Sequence, residues 1–455
     1  MDVGRVLGST GKQLLDRIQT TAISLGMAAV PVSLLRSLVF SILSNVKTGV
    51  LDIHSHDGQE WRFGSGNGGP NGMIHLHSDA FWFRVFVSAD LGFADSYMLG
   101  EFTTPNLMGL IKLFIVNEQH LSNLSTTPYR FVSTVSDMLF STVDTGTLKR
   151  ASLNMVAAYD LSNEMFEAFL SPDMSYSCPI WLPKSHPEYS SDTLEAAQMR
   201  KLDTLFANVH AQPTDHILEI GTGWGSLAIR AATTIGCRVT TCTLSEMQYK
   251  RARKRVEALG LQDKVTVLLS DYRLLPTPET PYDKIIAVEM MEAMGDYELE
   301  TFWETVDRFL KPEGGICSVQ ASIMPESRYK NMFPKGEGFI RRYIFPGGHC
   351  PSVTRLLEAV QKSNARLDLD SIQQYGAHYV RCLNEWSRKF QDNFQSIIAP
   401  LMREKYHLSE RDVEVFYRKY IYYFAYAAAA FDTKILHLAQ ITFSRSGSLA
   451  LLEDV

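Results

Sequence analysis

The chain is 455 residues long, enough for two domains that each bury their own core. Hydrophobic residues make up 45% and charged residues 21%, an ordinary globular balance, and the net charge of −6 gives no electrostatic reason to expect nucleic acid as a partner. Six cysteines (Cys178, Cys237, Cys242, Cys317, Cys350, Cys382) include no CxxC pair, which argues against a zinc framework or a secreted disulfide scaffold and fits a reducing, cytoplasmic compartment.

The stretch from Thr21 to Val46 is apolar but broken by Pro31, Arg36 and several serines. A spanning helix needs about 20 mainly apolar residues with few charges. From Val32 to Val46, Leu34, Leu35, Leu38, Val39 and Leu43 recur near helical spacing, which predicts an amphipathic helix. Such a helix either packs on its own domain or lies on a membrane surface. Gly49 to Phe63 predicts two short strands around a His56-Asp57-Gly58 turn, and Gly64 to Gly72 (GSGNGGPNG) is a loop. Gly72 to Val87 and Leu107 to Glu118 read as strand and then helix. Residues 1–145 are therefore expected to form a smaller α+β domain, with lipid contact through the 32–46 helix as one role and no catalytic cluster. Asn123-Leu124-Ser125 matches a glycosylation acceptor, a triplet without meaning in a cytosolic protein.

From Asp215 the pattern becomes alternating strands and helices within a second domain, residues 146–455. Strands are predicted at His216 to Ile220, Arg238 to Leu244, Val265 to Leu269, Lys284 to Val288 and Ile316 to Ala321. Helices are predicted at Ser226 to Ile235, Glu246 to Leu259 and Glu298 to Leu310. This alternation specifies a parallel sheet covered by helices on both faces, with ligands beyond the carboxyl ends of the strands.

Where the first of these strands turns into its helix stands Glu219-Ile220-Gly221-Thr222-Gly223-Trp224-Gly225. Glycines at alternate positions let a backbone approach a ligand closely. The spacing G-x-G-x-G after an acidic residue is typical of methyltransferases, whereas NAD-binding proteins place G-x-G-x-x-G here. Thr243 to Gln248 closes the second strand with hydroxyl and amide groups where a ribose would lie. Asp271-Tyr272 closes the third where an adenine would lie. Alone, each is ordinary helix-cap chemistry; at three successive strand ends they describe one nucleoside site.

Tyr159 to Phe166 (YDLSNEMF) and Tyr176 to Trp181 (YSCPIW) resemble the two signatures that precede the methyltransferase fold in the cyclopropane-fatty-acyl-phospholipid synthase family. Arg342 to Gly348 (RYIFPGG), Pro351-Ser352 and the segment Tyr422 to Arg445 are similar to it as well, and Gly49 to Phe63 and Ser96 to Glu101 more weakly. The resemblance covers about 300 residues and is to the eukaryotic-type members. It implies a Rossmann-like class I methyltransferase fold with a cap over the acceptor site, placed within Ser322 to Phe394, and S-adenosylmethionine as cofactor. It also implies that Gly221, Gly223 and Gly225 hold the methionine portion of the donor, Tyr176 and Ser177 its carboxylate end, Thr243 and Gln248 the ribose, and Asp271 and Tyr272 the adenine. Glu219 joins this cofactor-binding set. Family members also bind bicarbonate near the transferred methyl; its ligands map to Cys178, Glu292 and Tyr379. Gln320 stands where bacterial members have a histidine, and Ala293 where they have a second one. No metal is implied.

A sulfonium methyl is electrophilic enough for an alkene or amine held in line to attack it. With an alkene, loss of a proton from the new methyl then closes a cyclopropane, which demands a base and exclusion of water. Glu292 is expected to position that base, and Met290, Met291 and Met294 suit either an acyl pocket or plain core packing. Cys178 has no identifiable activating partner and reads as a pocket wall rather than a nucleophile. The basic run Lys250 to Arg255 is a solvated helix face or a headgroup contact. The expected function is methylene transfer to the double bond of an unsaturated phospholipid acyl chain, with peripheral membrane contact and a homodimer among the expected partners. The rivals are C- or N-methylation of a hydrophobic small molecule, a lipid-binding scaffold that no longer catalyses, and an NAD-dependent oxidoreductase.

Overall fold

The computed structural model describes residues 31–66, 68–122, 162–332, 338–445 and 448. The start of the Thr21 to Val46 stretch, the Asn123 triplet, the 145/146 boundary and Tyr159-Asp160-Leu161 of the first signature lie outside the described residues. Two compact units divide the chain: Met1–Tyr159 with Met402–Ala429, and Asp160–Leu401 with Ala430–Val455.

In the first unit, α1 (Val32–Leu43) buries Leu35, Val39 and Leu43, one face at a spacing of four. Phe40 packs its ring 5.1 Å from those of Trp61 and Phe63 and 5.4 Å from that of Trp82. Leu34 and Leu38 lie on the exposed side. Strands β1 (Val50–His54) and β2 (Glu60–Phe63) form the expected hairpin, its turn closed by Ser55 N donating to Gln59 O at 2.8 Å. β3 (Asn71–Leu76) runs parallel to β1 and antiparallel to the short β4 (Phe102–Thr103). The strand read into Gly72 to Val87 stops at Leu76, and α2 (Ala80–Met98) follows, with Ser78 Oγ accepting from Ala80 N at 3.2 Å just before it. After α3 (Leu107–Val116), the buried amide of Asn117 accepts from Lys47 N and Thr48 N and donates to Thr48 O and Leu113 O, so the entry to β1 is fixed by a fully satisfied side chain.

The second unit is built on a seven-stranded sheet in the order β10-β11-β9-β8-β5-β6-β7. Its strands are β5 (His216–Ile220), β6 (Arg238–Thr243), β7 (Val265–Leu269), β8 (Lys284–Val288), β9 (Ile316–Ile323), β10 (Asp368–Gln374) and β11 (His437–Ser444). Helices α4 (Leu194–Asn208), α5 (Ser226–Arg230), α6 (Glu246–Ala258), α7 (Glu298–Phe309), α8 (Val353–Lys362) and α9 (Gly376–Asn393) accompany it. Alternation along the strands sends Ile217 and Ile286 to a core with Leu205, Phe206 and Leu227, and Leu218 and Ile285 to a core with Phe302, Trp303 and Leu356. Both faces are thus covered, as the sequence predicts. One feature differs from it: the sheet is not wholly parallel, since β11 is antiparallel to both β9 and β10. Of the range Ser322 to Phe394, within which the cap is expected, α8 contributes Leu356, Ala359 and Val360 to the core, and β10 is a sheet edge. Among the described residues no helix is long and apolar enough to cross a membrane.

Candidate active site

The glycine loop between β5 and α5 carries Gly221, Gly223 and Gly225 at φ +99°, +51° and +88°, conformations that side-chain-bearing residues resist. Gly221 N and Thr222 N donate to Cys242 O at 3.1 and 3.0 Å, tying the loop to β6. Beneath it Glu219 is 4% exposed, and burial pushes its carboxyl up to about 8. Its Oε2 has no hydrogen-bond partner among the described residues, and neither has Oε1 of the buried Gln198. From α4, Gln198 Nε2 donates to Ser177 O at 2.7 Å and the buried Lys201 donates to Ser177 Oγ at 3.0 Å. Unmet buried polar atoms around a left-handed loop fit a polar, charged ligand such as the amino-acid end of S-adenosylmethionine.

At the end of β6, Ser245 caps α6 by accepting from Gln248 N at 3.3 Å, while Thr243 Oγ1 donates to Gln248 Oε1 at 2.8 Å. Asp271, beyond β7, is engaged by the Arg273 guanidinium at 2.6 Å, which holds its carboxyl below the usual range. Tyr272, expected with Asp271 at the adenine, donates its hydroxyl to Met294 Sδ at 3.7 Å and sets its ring 5.9 Å from that of Phe302, so its side chain packs against the core.

The two signatures strap these parts together. Asn163 Oδ1 accepts from Trp224 Nε1 at 2.7 Å, and Phe166 lies between Trp224 and Tyr176, with ring centroids at 5.0 and 5.3 Å. Trp181 N donates to His378 Nδ1 and its indole N–H to His378 O, at 3.0 and 3.1 Å. The Arg381 guanidinium stacks 3.9 Å from the Trp181 ring. These bonds anchor α9, and α9 carries Tyr379.

Just past β8, Glu289 takes φ +50°, a rare setting for a residue with a long side chain. Its Oε1 accepts from Cys178 N and from Gln320 Nε2, both at 2.8 Å, and its Oε2 accepts from Tyr379 OH at 2.6 Å. Gln320 is oriented by Gln440 Nε2 donating to its Oε1 at 2.9 Å, and Gln440 in turn accepts from Asn208 Nδ2 at 2.8 Å. Tyr379 is held in place by stacking on Phe431, centroids 4.5 Å apart. Cys178, Gln320 and Tyr379, expected at the reacting centre, are thus brought together on a carboxylate that the sequence reading did not single out. Cys178 takes part through its main chain: burial drives its thiol well above the ordinary range, and Sγ donates to Pro179 O at 3.4 Å.

Glu292 lies one turn further on. Its Oε1 accepts from Ser322 N, its Oε2 has no partner among the described residues, and its carbonyl accepts from His349 N at 3.1 Å. Both residues are half-buried, and protein surrounds their carboxyls densely enough that burial is the main cause of their upward pKa shifts. Glu292 reaches about 8, with the neighbouring Glu289 charge as the second cause. Hydrogen bonds favour the ionised form of both, but the Lys201 charge adds to them at Glu289 while the Glu289 charge opposes them at Glu292, so the pair's shared proton rests on Glu292. Among the described residues no group of three or more His, Cys, Asp or Glu is arranged to hold a metal ion.

Sequence reasoning missed Glu289, Gln440, Asn208 and Lys201. For Glu289 the available signal was a second carboxylate three residues before Glu292 at the end of a strand. Nothing in the sequence marked the amide relay.

Residues 147–441 match the family model of mycolic acid cyclopropane synthetase. Over 379 residues the chain is 31% identical to tuberculostearic acid methyltransferase of Mycobacterium tuberculosis, covering 83% of this chain and 84% of that protein. It is also 31% identical over 379 residues to the cyclopropane-fatty-acyl-phospholipid synthase of Escherichia coli, covering 83% of this chain and 89% of that one. A solved mycolic acid cyclopropane synthase complexed with SAH and CTAB aligns at a TM-score of 0.54 and 25% identity, over 64% of this chain and 98% of that one.

Proposed function

Since this chain belongs to the mycolic acid cyclopropane synthetase family and is an S-adenosylmethionine-dependent methyltransferase, we propose that it builds a cyclopropane ring across the double bond of an unsaturated phospholipid acyl chain. The observation that carries this reading is the carboxylate pair set beside the donor loop: a Cβ on Gly221 would lie 3.3 Å from Cγ of Met290, the residue between Glu289 and the rest of the turn. Simple methylation of a nucleophile that already carries a transferable proton makes smaller demands; ring closure needs a base inside a water-poor recess.

S-adenosylmethionine, when bound, supplies the electrophilic methyl. In this reading Gly221, Gly223 and Gly225 with Tyr176 and Ser177 hold its methionine end, and Glu219 Oε2 meets the ammonium. Thr243 and Gln248 face the ribose and Asp271 the adenine. Met290, Met291 and Met294 line the way for an apolar chain, with Met291 and Met294 buried and Met290 partly so. A phospholipid acceptor brings the protein to a lipid surface, and the exposed Leu34 and Leu38 of α1 are the side chains suited to touch it.

The test is mass spectrometry of lipids and organic-soluble metabolites from cells that express the chain and receive methionine labelled in its methyl group. Acyl chains should gain a labelled CH2 and lose their olefin signal. Label appearing only in a nonlipid metabolite, with acyl chains unchanged, would replace this acceptor with a hydrophobic small molecule.

A further inference from the structure

We propose that Glu289 is itself the proton acceptor of ring closure, so that this chain carries a built-in carboxylate at the place where its sequence pattern suggests an added bicarbonate; the assignment rests on the cyclopropane reading above. Three independent features place it there. The residue stands at the carboxyl end of β8, the ligand side of such a sheet, and its neighbour Met290 abuts Gly221 of the donor loop. Its positive φ turns the side chain out of the path a continuing strand would give it, and a strained non-glycine residue at a strand end marks a functional position. Its carboxylate then occupies the donors of Cys178 N and Tyr379 OH, two residues expected to hold bicarbonate, and of Gln320 Nε2, which stands where bacterial members have a histidine. A free anion of the same shape would compete for donors that Glu289 already fills.

The relay from Asn208 through Gln440 fixes which face of the Gln320 amide meets Glu289, because Gln440 donates to the Gln320 oxygen and leaves the NH2 group to the carboxylate. Among the described residues Oε2 accepts a single hydrogen bond, from Tyr379, which leaves it a lone pair for a proton. Glu292, holding the pair's proton, stays neutral and lowers the charge repulsion that would otherwise oppose an ionised Glu289. In the reaction the alkene π pair forms a C–C bond to the donor methyl while the S–C pair leaves with sulfur. One alkene carbon is then cationic. Glu289 Oε2 takes a proton from the new methyl, and the released C–H pair closes the third side of the ring.

The experiment uses the full-length enzyme with S-adenosylmethionine and vesicles of an unsaturated phosphatidylglycerol, in buffer stripped of carbon dioxide or supplemented with bicarbonate. It follows labelled cyclopropane by mass spectrometry and, separately, the thermal stabilisation given by S-adenosylhomocysteine. Wild type should close rings at the same rate with and without bicarbonate. Glu289→Gln, which keeps the size of the side chain and an acceptor oxygen, should lose ring formation by roughly 100-fold while S-adenosylhomocysteine still stabilises it. Glu289→Gly should open the cradle and regain about tenfold of the lost rate when bicarbonate is added. A wild type that stalls without bicarbonate, a Glu289→Gln enzyme of undiminished rate, or two variants that S-adenosylhomocysteine no longer stabilises would each overturn the assignment. Wild type giving no cyclopropane under any condition defeats the assigned reaction; wild type closing rings beside a fully active Glu289→Gln defeats only the proton acceptor.

Discussion

Two carboxyls three residues apart, Glu289 and Glu292, are made chemically unequal by what surrounds them. Glu292 and Glu219 both reach about 8 from an ordinary value of 4.5, through burial. The folded chain therefore binds these protons more tightly than the unfolded chain does. Their contribution to stability is complete below the unfolded pKa and is lost as pH rises through the folded one. Melting temperature of the ligand-free protein should fall from about pH 5 to about pH 8, and Glu292→Gln, neutral at every pH, should flatten part of that slope. A slope unchanged in the variant would remove Glu292 from the account. The relay makes a second prediction. Gln440 is fully buried, and Gln440→Leu strands the Gln320 oxygen and the Asn208 amide. Loss of about 1–3 kcal/mol in urea unfolding is expected, with a fall in kcat and little change in KM for the donor, because Gln320 faces Glu289 rather than the glycine loop. Glu292 was legible in the sequence through a motif. Glu289 was not, since its partners lie 111, 31 and 90 positions away and only the fold assembles them.

At the level of elements, each strand from β5 to β9 was legible because a run of apolar residues ends in a glycine, a cap or a charged turn. β10 (DLDSIQQ) was not, being a polar edge strand whose pattern carries no apolar face. β11 (HLAQITFS) is almost wholly buried but its direction is invisible to periodicity, and it is the strand that reverses the sheet. What these two strands accomplish is local: β11 brings Gln440 beside Gln320, in direct register across β9. The Pro346-Gly347-Gly348 turn acts on the other carboxyl. A Cβ at Gly348 would lie 2.7 Å from Glu292 O and 2.9 Å from Phe345 O, both main-chain atoms that cannot swing aside. Gly348→Ala should therefore push the Glu292 turn away from Ser322, costing about 1–3 kcal/mol of stability and cutting ring formation several-fold beyond what the lost stability explains. Kinetics at a temperature where the variant is fully folded, paired with denaturant unfolding, separates the two effects. An active, merely less stable Gly348→Ala would show that the turn supports the fold and not the site.

For the whole molecule, length alone suggested two domains, but the way the chain is shared between two units was not legible. The segment Tyr422 to Arg445 reads as one continuous motif, yet the division falls inside it, with Met402–Ala429 in the first unit and Ala430–Val455 in the second. Within the first unit this returning segment buries Phe416, Tyr420, Tyr422 and Phe424. Tyr422 sets its ring 5.8 Å from that of Tyr97, and Arg418 donates to Tyr97 O at 3.4 Å. A fragment cut at the expected boundary, residues 146–455, would keep every donor-site and carboxylate residue but strip these aromatics of Tyr97 and its neighbours. Apolar surface bared in that way favours association. The fragment should elute as aggregate in size-exclusion chromatography, and S-adenosylhomocysteine should fail to restore a monodisperse peak, although the glycine loop is intact. Co-expression with residues 1–145 should restore it, because the missing partner of Met402–Ala429 is then supplied in trans. A fragment that is monodisperse alone, and as strongly stabilised by S-adenosylhomocysteine as the full chain, would mean that the returning segment holds its own fold, and that the catalytic unit needs nothing from the first.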